Sequence, residues 1–399
     1  MSEQTETLIK LLNQTSSGRG KSNIKVKSFQ YRRTATDMNY KMRVNTVQAA
    51  TSIATSGQTI RVQLPTFGQA IVGDIFLKVN FKATTQGTYK PYVGAQCLKS
   101  IKLRHSDVAY ELLNVKQVWA YLLSKCKNKE DKDERKKIFG NSAAAAGAQE
   151  LVVPLLTPWS PHFNAEMYGT GPIKHARRHI LFPAYALREN CVFELEFESC
   201  ANLCSADVQG AEIQNVDLCW EEVVASPDVL ARIKKELPKA VCAPDFTAIP
   251  VTCDGNEQKE DVTSILSRAP THSLCFYLQE TANADDPFNC VDVLELEEII
   301  ADGRTILTNR DEASEAERRY KDILRGRPRN RGAPQLPSVS FDNDGGYSLN
   351  HAAMQISNTA ANSVTLNFKP AAACAGQILA VHERHFSVDN GTIKNTNVY

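Results

Sequence analysis

Strict alternation of apolar and polar residues constrains the fold of this chain more than any other feature. In the first such segment, Ile60, Val62 and Leu64 alternate with Arg61 and Gln63. Similar alternation recurs at residues 75–81, 193–198 and 216–221. Because successive side chains of a β-strand point to opposite faces of its sheet, the pattern predicts strands that bury one face.

The second half of the chain repeats this plan in the same order. Strand-like segments occur at residues 274–278, 291–296, 364–368 and 378–385. A chain of 399 residues is long enough for two or three domains at roughly 150 residues each. Since most of these strands follow one another without an intervening helix, βαβ units are excluded. The sequence therefore predicts an all-β protein with two tandem antiparallel sandwiches.

Three segments are expected to be short helices in loops or between the domains. Residues 111–125 place Leu112, Val115, Trp119 and Leu122 on one face. Residues 226–237 begin with Ser-Pro-Asp, an N-terminal signature, and stop before a proline. Residues 312–324 carry Glu-to-Arg and Glu-to-Lys pairs four residues apart. The charged run at 125–137 alternates in sign, which favours a solvated helix end or loop.

The N-terminal segment 1–45 has a different character from the rest of the chain. It carries nine Lys or Arg against three Asp or Glu and a Ser/Gly stretch at 16–20, while the whole chain has a net charge of only +1. Such segments order mainly on contact with a partner. We therefore divide the chain into a basic arm (1–45), a first domain (46–225), a linker helix (226–239) and a second domain (240–399).

Four basic residues of the arm are the candidates for contact with an anionic partner or with the inner face of an assembly. These residues are Lys25, Lys27, Arg32 and Arg33, and they lie among Phe29, Tyr31 and Tyr40. Basic and aromatic residues together can bind phosphates and stack on bases. The alternative, which the residues favour slightly, is that the arm docks on its own protein with its charges in solvent.

Membrane and secreted classes fit the sequence poorly. The most apolar stretch, residues 371–381, is shorter than the roughly 20 residues that a spanning helix needs. The first twelve residues lack a basic start and a long apolar centre, so no secretory signal is expected and synthesis is expected in the cytosol. Eleven scattered cysteines without a CxxC pair indicate free, mostly buried thiols.

Motifs that carry enzyme chemistry are absent from the sequence. It contains no GxGxxG, GxxxxGK[ST], GxSxG or HExxH. The pairs His382/His385, His175/His179 and Cys200/Cys204 lack further ligands at suitable spacing, and the first of these is expected to alternate across a strand end near solvent. We therefore predict no catalytic, cofactor-binding or metal-binding residue, no cofactor and no small-molecule substrate.

Trp119 and Trp220 are predicted to be packing residues of the first domain. Each lies on an apolar face of its segment, the first in a predicted helix and the second in a predicted strand. A large aromatic on such a face contributes to the core mainly by removing its surface from water.

Several segments form an ordered set along the chain. The set comprises a Gly-Asp turn leading into a long strand (71–79), a strand, turn and tryptophan-bearing helix (100–125), two proline motifs (152–155 and 181–187), a strand and interdomain helix (218–237) and a final strand (379–391). Taken in this order, the set resembles the double jelly-roll major capsid proteins of large eukaryotic DNA viruses and their polinton-like relatives. The resemblance covers about residues 60–399. The family's usual Gly-Gly turn reads Arg104-His105-Ser106-Asp107 here.

This resemblance implies two eight-stranded jelly rolls side by side and a structural role. Three subunits would form a pseudo-hexagonal homotrimer that tiles an icosahedral shell. The implied partners are further copies of the chain, minor capsid or cement proteins, and an internal membrane or the genome through the arm. The implied location is the virion, with synthesis and assembly in the host cytoplasm or a viral factory.

Two other functions remain open from the sequence. A genome-binding nucleocapsid protein is favoured by the basic arm but opposed by the acidic balance of the remainder. A lectin-like β-sandwich binding module would need an aromatic-lined pocket, and the chain has only three tryptophans. A metal-dependent or hydrolytic enzyme is a more distant third alternative.

Overall fold

The structure is a computed structural model, and it describes most of the chain in segments. These are residues 41–50, 58–64, 71–105, 107–124, 129–160, 162–163, 182–224, 226–236, 240–266, 271–280, 285–291, 293–301, 304–308, 338–340 and 363–397. The predicted helix at 312–324 and the arm residues Lys25, Lys27, Arg32 and Arg33 lie outside them.

Eight strands form the first domain. They are β1 (Lys41–Ala50), β2 (Thr59–Leu64), β3 (Ile71–Phe81), β4 (Leu98–His105), β5 (Asp107–Leu113), β6 (Gln149–Pro154), β7 (Cys191–Phe197) and β8 (Ile213–Val224). They make two antiparallel sheets with the orders β1-β8-β3-β6 and β2-β7-β4-β5.

The described residues of the second domain form nine strands. They are β9 (Ala240–Cys253), β10 (Gln258–Asp261), β11 (Thr271–Gln279), β12 (Val293–Ala301), β13 (Arg304–Thr308), β14 (Ser338–Ser340), β15 (Val364–Pro370), β16 (Cys374–Asp389) and β17 (Thr392–Asn397). One sheet has the order β10-β15-β12-β13. In the other, β16 pairs with β9 on one side and with β11 and β17 on the other, and β14 pairs with β11.

The two domains share one strand order. Moving eight strands along the chain converts β1-β8-β3-β6 into β9-β16-β11-β14, and it converts β2-β7-β4-β5 into β10-β15-β12-β13. This order is that of the jelly roll, a sandwich of two antiparallel sheets built from eight strands. The predicted fold class, two tandem antiparallel jelly rolls, is confirmed; β17 is an additional strand after the eighth.

Helices are short and lie in the connections. They are α1 (Val93–Gln96), α2 (Val115–Ser124), α3 (Lys129–Lys136), α4 (Pro227–Glu236) and α5 (Thr263–Leu266), with two 3-10 turns at Lys137–Phe139 and Ala184–Ala186. The predicted interdomain helix is α4. The predicted helix at 111–125 begins later, because Glu111–Leu113 complete β5 against β4. The long connection between α3 and β7 contains β6, which pairs with β3.

Strand β1 begins inside the segment that we assigned to the arm. Lys41 pairs with Val224 and Asn45 pairs with Trp220, so the ladder with β8 already includes residues 41–45. Met42 and Val44 within this segment provide the period-two alternation of a strand. The first jelly roll therefore includes residues 41–45, which we had assigned to the arm.

The buried residues form two hydrophobic clusters that divide one sheet between them. Along β11, Leu274, Phe276 and Leu278 belong to the cluster inside the second jelly roll, whereas Cys275 and Tyr277 belong to a larger cluster that fills the first jelly roll. Successive residues of β16 divide in the same way. The β9-β16-β11 sheet is therefore buried on both faces, and its outer face packs against the first domain.

Both predicted packing tryptophans are buried in the larger cluster. Trp119 is 2% exposed on α2 and Trp220 is 7% exposed on β8. The Trp119 ring lies edge-on to Phe139, with 4.7 Å between the ring centroids. The packing assignment is confirmed for both residues.

Candidate functional site

The interface between the two jelly rolls, which we call the seam, is the feature of the fold that bears most on function. The first jelly roll contributes β5, helices α2 and α3, and residues 155–163. The second contributes the outer face of β9, β11 and β16 together with residues 285–291. One continuous hydrophobic cluster runs through both sides.

Aromatic pairs cross the seam in edge-to-face geometry. The rings of Tyr110 and Phe386 have centroids 5.5 Å apart at 81°, and those of Tyr121 and Phe246 are 5.5 Å apart at 75°. Such pairs add about 0.5 to 1.5 kcal/mol each beyond the burial of their area. Further pairs join Trp159 to Phe386, Phe163 to Phe246, and both Tyr92 and Phe139 to Phe288.

Lysines of the first jelly roll contact acids and rings of the second. Lys90 Nζ lies 3.1 Å from Asp285 Oδ1. Lys136 Nζ lies over two rings, 5.4 Å from the centroid of Tyr92 and 5.5 Å from that of Phe288. A cation over an aromatic face is attracted by the ring's negative surface. Lys136 therefore links Tyr92 of the first domain to Phe288 of the second.

Lys116 is the most deeply placed of the lysines at the seam that contact a ring. Its Nζ lies 5.7 Å from the centroid of Tyr277, and burial together with the charge of Lys90 lowers its pKa. Lys132 on α3 is only 5% exposed. The run 125–137 was expected to be a solvated helix end or loop, and among its described residues Glu134, Arg135 and Lys137 are exposed. Lys132 is the exception, because α3 packs against the seam on that side.

Direct hydrogen bonds also cross the seam at both ends. Gln96 Nε2 donates to the backbone oxygen of Asp285 at 2.9 Å. At the other end, Asn395 Nδ2 on β17 donates to the backbone oxygen of Ala109 on β5, also at 2.9 Å. Strand β17 thus ties the end of the second domain to the edge of a first-domain sheet.

Gly391 is required at a close approach between the domains. Its φ of +78° is in the left-handed region, and a Cβ placed there would lie 2.2 Å from Cγ of Arg188. The Arg188 backbone N–H donates to the Gly391 oxygen at 3.0 Å. Only glycine permits both the turn and this contact.

A β-bulge places two carboxyl groups together on the first jelly roll. Gly73 and Asp74 of β3 lie opposite the single residue Glu221 of β8, because the register shifts between Val72 and Ile75. Burial and the neighbouring Glu221 raise the pKa of Asp74 to about 6. The Gly-Asp segment, expected to be a turn before a strand, is this bulge within the strand.

The pair His175/His179 lies outside the described residues, whereas His382/His385 and Cys200/Cys204 lie in the part of the chain that the structure describes. No group of three or more His, Cys, Asp or Glu side chains there is arranged to hold a metal ion. His382 was expected near solvent, but it is 1% exposed and its ring nitrogens face Thr247 Oγ1 at 2.7 Å and Thr271 Oγ1 at 3.3 Å. It is buried because β16 lies in the middle of its sheet. No helix of the described segments is long and apolar enough to cross a bilayer.

The seam was not predicted from the sequence, although a signal for it exists. Residues 274–278 and 378–381 are continuous apolar runs rather than alternating ones. Such runs are typical of strands buried on both faces.

Comparison with known proteins identifies the fold. No family model and no curated protein matches the sequence. Solved structures that are similar over most of both chains include VP54 of PBCV-1 (TM-score 0.58, 12% identity, 92% of this chain and 100% of that one), the Faustovirus major capsid protein (0.55, 9%, 97% and 98%) and the mavirus major capsid protein (0.52, 11%, 89% and 90%). The chain has the double jelly-roll fold of these viral capsid proteins.

Proposed function

We propose that this protein is the major capsid protein of a DNA virus and assembles as a homotrimer into an icosahedral shell. The observation that carries the proposal is the duplication of one jelly-roll strand order within one chain, with both copies joined by a continuous core. The resemblance of the fold to viral major capsid proteins supports it. We propose no catalytic role.

The geometry of a fused pair makes a trimer a natural building unit. Three chains place six similar sandwiches around one axis, which gives a nearly hexagonal block that can tile a surface. Closed cyclic assembly is also the common route to stable homo-oligomers. Because the seam fixes the two sandwiches relative to each other, the block would be stiff enough to repeat.

The described surface offers apolar residues for contacts between copies. Leu113, Ile138 and Val152 are 50%, 37% and 41% exposed. Val152 lies on β6, the edge strand of its sheet, where a neighbouring chain can approach. Minor capsid or cement proteins are further proposed partners, and the proposed location is the virion, after assembly in the host cytoplasm or a viral factory.

Light scattering on a size-exclusion column tests the proposal directly. Three chains of 44.2 kDa give a particle of 132.6 kDa, and negative-stain images of it should show a hexagonal outline. A persistent monomer would contradict the proposal and favour a binding module. Polydisperse species that collapse with nuclease or high salt would favour a nucleocapsid protein, because phosphate contacts weaken steeply with salt.

We further propose that the basic arm lies at the inner base of the shell and contacts an anionic surface, either the genome or an internal membrane. Deleting residues 1–40 should leave the trimer intact but impair shell assembly. A Ser/Gly segment of equal length provides the control for chain length, and replacing Lys25, Lys27, Arg32 and Arg33 with Gln isolates charge. Normal assembly of the Gln variant would contradict the electrostatic role.

A further inference from the structure

Two cysteines of the second jelly roll face each other across a strand pair. Cys253 is the last residue of β9 and Cys374 is the first residue of β16, and they are direct partners in the antiparallel register. Both are buried, at 4% and 3% exposure, and their thiols are hydrogen-bonded to each other. Among the described cysteines, this pair alone occupies directly opposite positions of a ladder.

The geometry of this pair suits a covalent bond. Directly opposite residues of an antiparallel pair have Cβ atoms about 4.5 to 5.5 Å apart, and a disulfide needs about 3.5 to 4.5 Å. A small approach at the end of a ladder closes that difference more easily than one in the middle. We propose that Cys253 and Cys374 form an intramolecular disulfide when the protein meets an oxidising environment.

The pair lies beneath two surface loops, which gives an oxidant a short path. The turn after β9 contains exposed Asp254 and Asn256, and the turn before β16 contains exposed Ala373. Gly255 joins the two turns, since a Cβ placed on it would lie 3.2 Å from the Ala373 nitrogen. The thiols therefore lie at the end of the sandwich, beneath the turn residues, and not at its centre.

The environment of the two thiols makes their oxidation slow. Burial is the largest effect on both thiols, and it raises the pKa of Cys253 to about 12 and raises that of Cys374 as well. The nearby acids Glu260, Asp254 and Glu280 act in the same direction. Since the thiolate is the nucleophile, few molecules react at any instant, and oxidation is slow.

With glutathione disulfide as the oxidant, the reaction proceeds in two exchanges. One protein thiol loses its proton, and its thiolate attacks the small disulfide to form a mixed disulfide and release one glutathione thiolate. The second protein thiolate then attacks the protein sulfur of the mixed disulfide and releases the other glutathione. Two protein thiols are oxidised by two electrons, and one glutathione disulfide is reduced to two glutathiones.

The bond would close a loop that contains residues 254–373, nearly all of the second jelly roll before β16. Closing a long loop restricts the unfolded chain most, so the second domain should be the part that gains stability. For a shell that leaves the reducing cytosol, this gain would come after release; that consequence rests on the proposed function, while the bond itself does not.

Incubation of the purified protein with glutathione disulfide tests the bond. Free thiols are then alkylated under denaturing conditions, and unreduced peptides are mapped by mass spectrometry. We expect a linked peptide containing Cys253 and Cys374 that disappears with dithiothreitol. If Cys253 and Cys374 are both still alkylated after prolonged incubation with an excess of glutathione disulfide, the proposal is wrong.

Thermal unfolding with and without oxidant provides a second measurement. The wild-type protein should melt about 5 °C or more higher after oxidation. Cys374→Ala should lose this shift. Cys275→Ala is the matched control, because Cys275 is buried in the same sheet but faces Leu379 rather than a thiol; it should lower both melting temperatures and keep the shift. The readout uses dissolved protein, so it is independent of shell assembly.

Discussion

The two jelly rolls share a strand order but use the same sheet in different ways. In the first, β3 buries Ile75, Leu77 and Val79 on one face, while Lys78 and Asn80 lie on the other and are partly exposed. In the second, the equivalent strand β11 is buried on both faces. Two domains with the same strand order can therefore expose different sheet faces. In the second jelly roll, one face of this sheet is buried in the seam.

The two jelly rolls also differ in the residues that lie beside a β-bulge found at equivalent positions in both. In both domains the strand that pairs with the eighth strand carries one extra residue near its start, between Val72 and Ile75 in β3 and between Thr271 and Ser273 in β11. The first bulge brings Asp74 beside Glu221, whereas the second lies next to Thr271, which faces His382. The same backbone irregularity therefore lies beside two neighbouring acids in one copy and beside a Thr–His contact in the other.

The largest effect should come from truncating the two faces of β11 in turn. Phe276 and Tyr277 are adjacent, and both are buried, but Phe276 points into the second core and Tyr277 into the seam. Each change to Ala should cost about 3 to 5 kcal/mol by lost burial and a cavity. In calorimetry, Tyr277→Ala should split unfolding into two transitions because it weakens the seam. Phe276→Ala should lower the melting temperature of the second domain alone. Identical profiles for the two variants would mean that the seam does not couple the domains.

On the first jelly roll, the same pair of substitutions should give unequal effects. Leu77→Ala on β3 should cost about 2 to 5 kcal/mol because the side chain is fully buried. Lys78→Ala on the opposite face should change stability by less than about 0.5 kcal/mol. Urea unfolding measures both. A large loss for Lys78→Ala would show that this sheet face is also covered, and the contrast with β11 would not hold.

Acid should weaken the first-domain side of the seam through His162. Its ring lies 5.2 Å from that of Trp119, and burial, assisted by the charge of Arg135, lowers its pKa to about 4. Between pH 6.5 and 4, His162 binds a proton in the unfolded state but stays neutral in the folded state. The free energy of unfolding therefore falls as the pH falls through this window. At pH 5 the loss should be about 1 kcal/mol after allowance for partial exposure.

His162→Phe keeps the ring contact with Trp119 and removes the proton. Its stability should therefore decrease less than that of the wild-type protein between pH 7 and pH 5, as measured by urea unfolding. Equal decreases in both proteins would contradict the assignment to His162.

A pH effect of the opposite sign is expected for Asp74 in the bulge of β3. The pKa of Asp74 is raised to about 6, so the stability associated with its protonated form is present below pH 3.8 and is lost as pH rises to 6. Asp74→Asn should therefore be more stable than wild type by about 1 kcal/mol at pH 7 and no more stable near pH 3.5. Chemical denaturation at the two pH values decides this, and Asp217→Asn on β8, whose pairing partner is Lys78 rather than an acid, is the control.

The sequence predicted secondary structure and burial correctly where both follow from the residues of the segment itself. Alternation at residues 60–64 and 193–198 reports a single buried face, and Pro227 with Asp228 marks the start of α4. These patterns predicted the strands, the linker helix and the buried tryptophans. Their common feature is that burial follows from the strand or helix period alone.

Some side chains are buried by contacts that the pattern of their own strand or helix does not record. Glu194 alternates as an outward residue, but it is 6% exposed because Arg61 and Arg104 from neighbouring strands pair with it. The charged run that contains Lys132 was likewise expected to be solvated, because its own sequence is highly charged, but Lys132 is buried. Which surface covers a strand or helix is decided by distant residues, and one sequence does not show their positions.

Sharing one sheet between two cores also sets an order for folding during synthesis. The first jelly roll leaves the ribosome first, and its side of the seam can form while the second domain is still being made. The β9–β16 ladder begins at the pair Cys253–Cys374 and needs strands far apart in sequence, so it closes only when the end of the chain is free. We expect β9 to pack against the completed first domain before it pairs with β16.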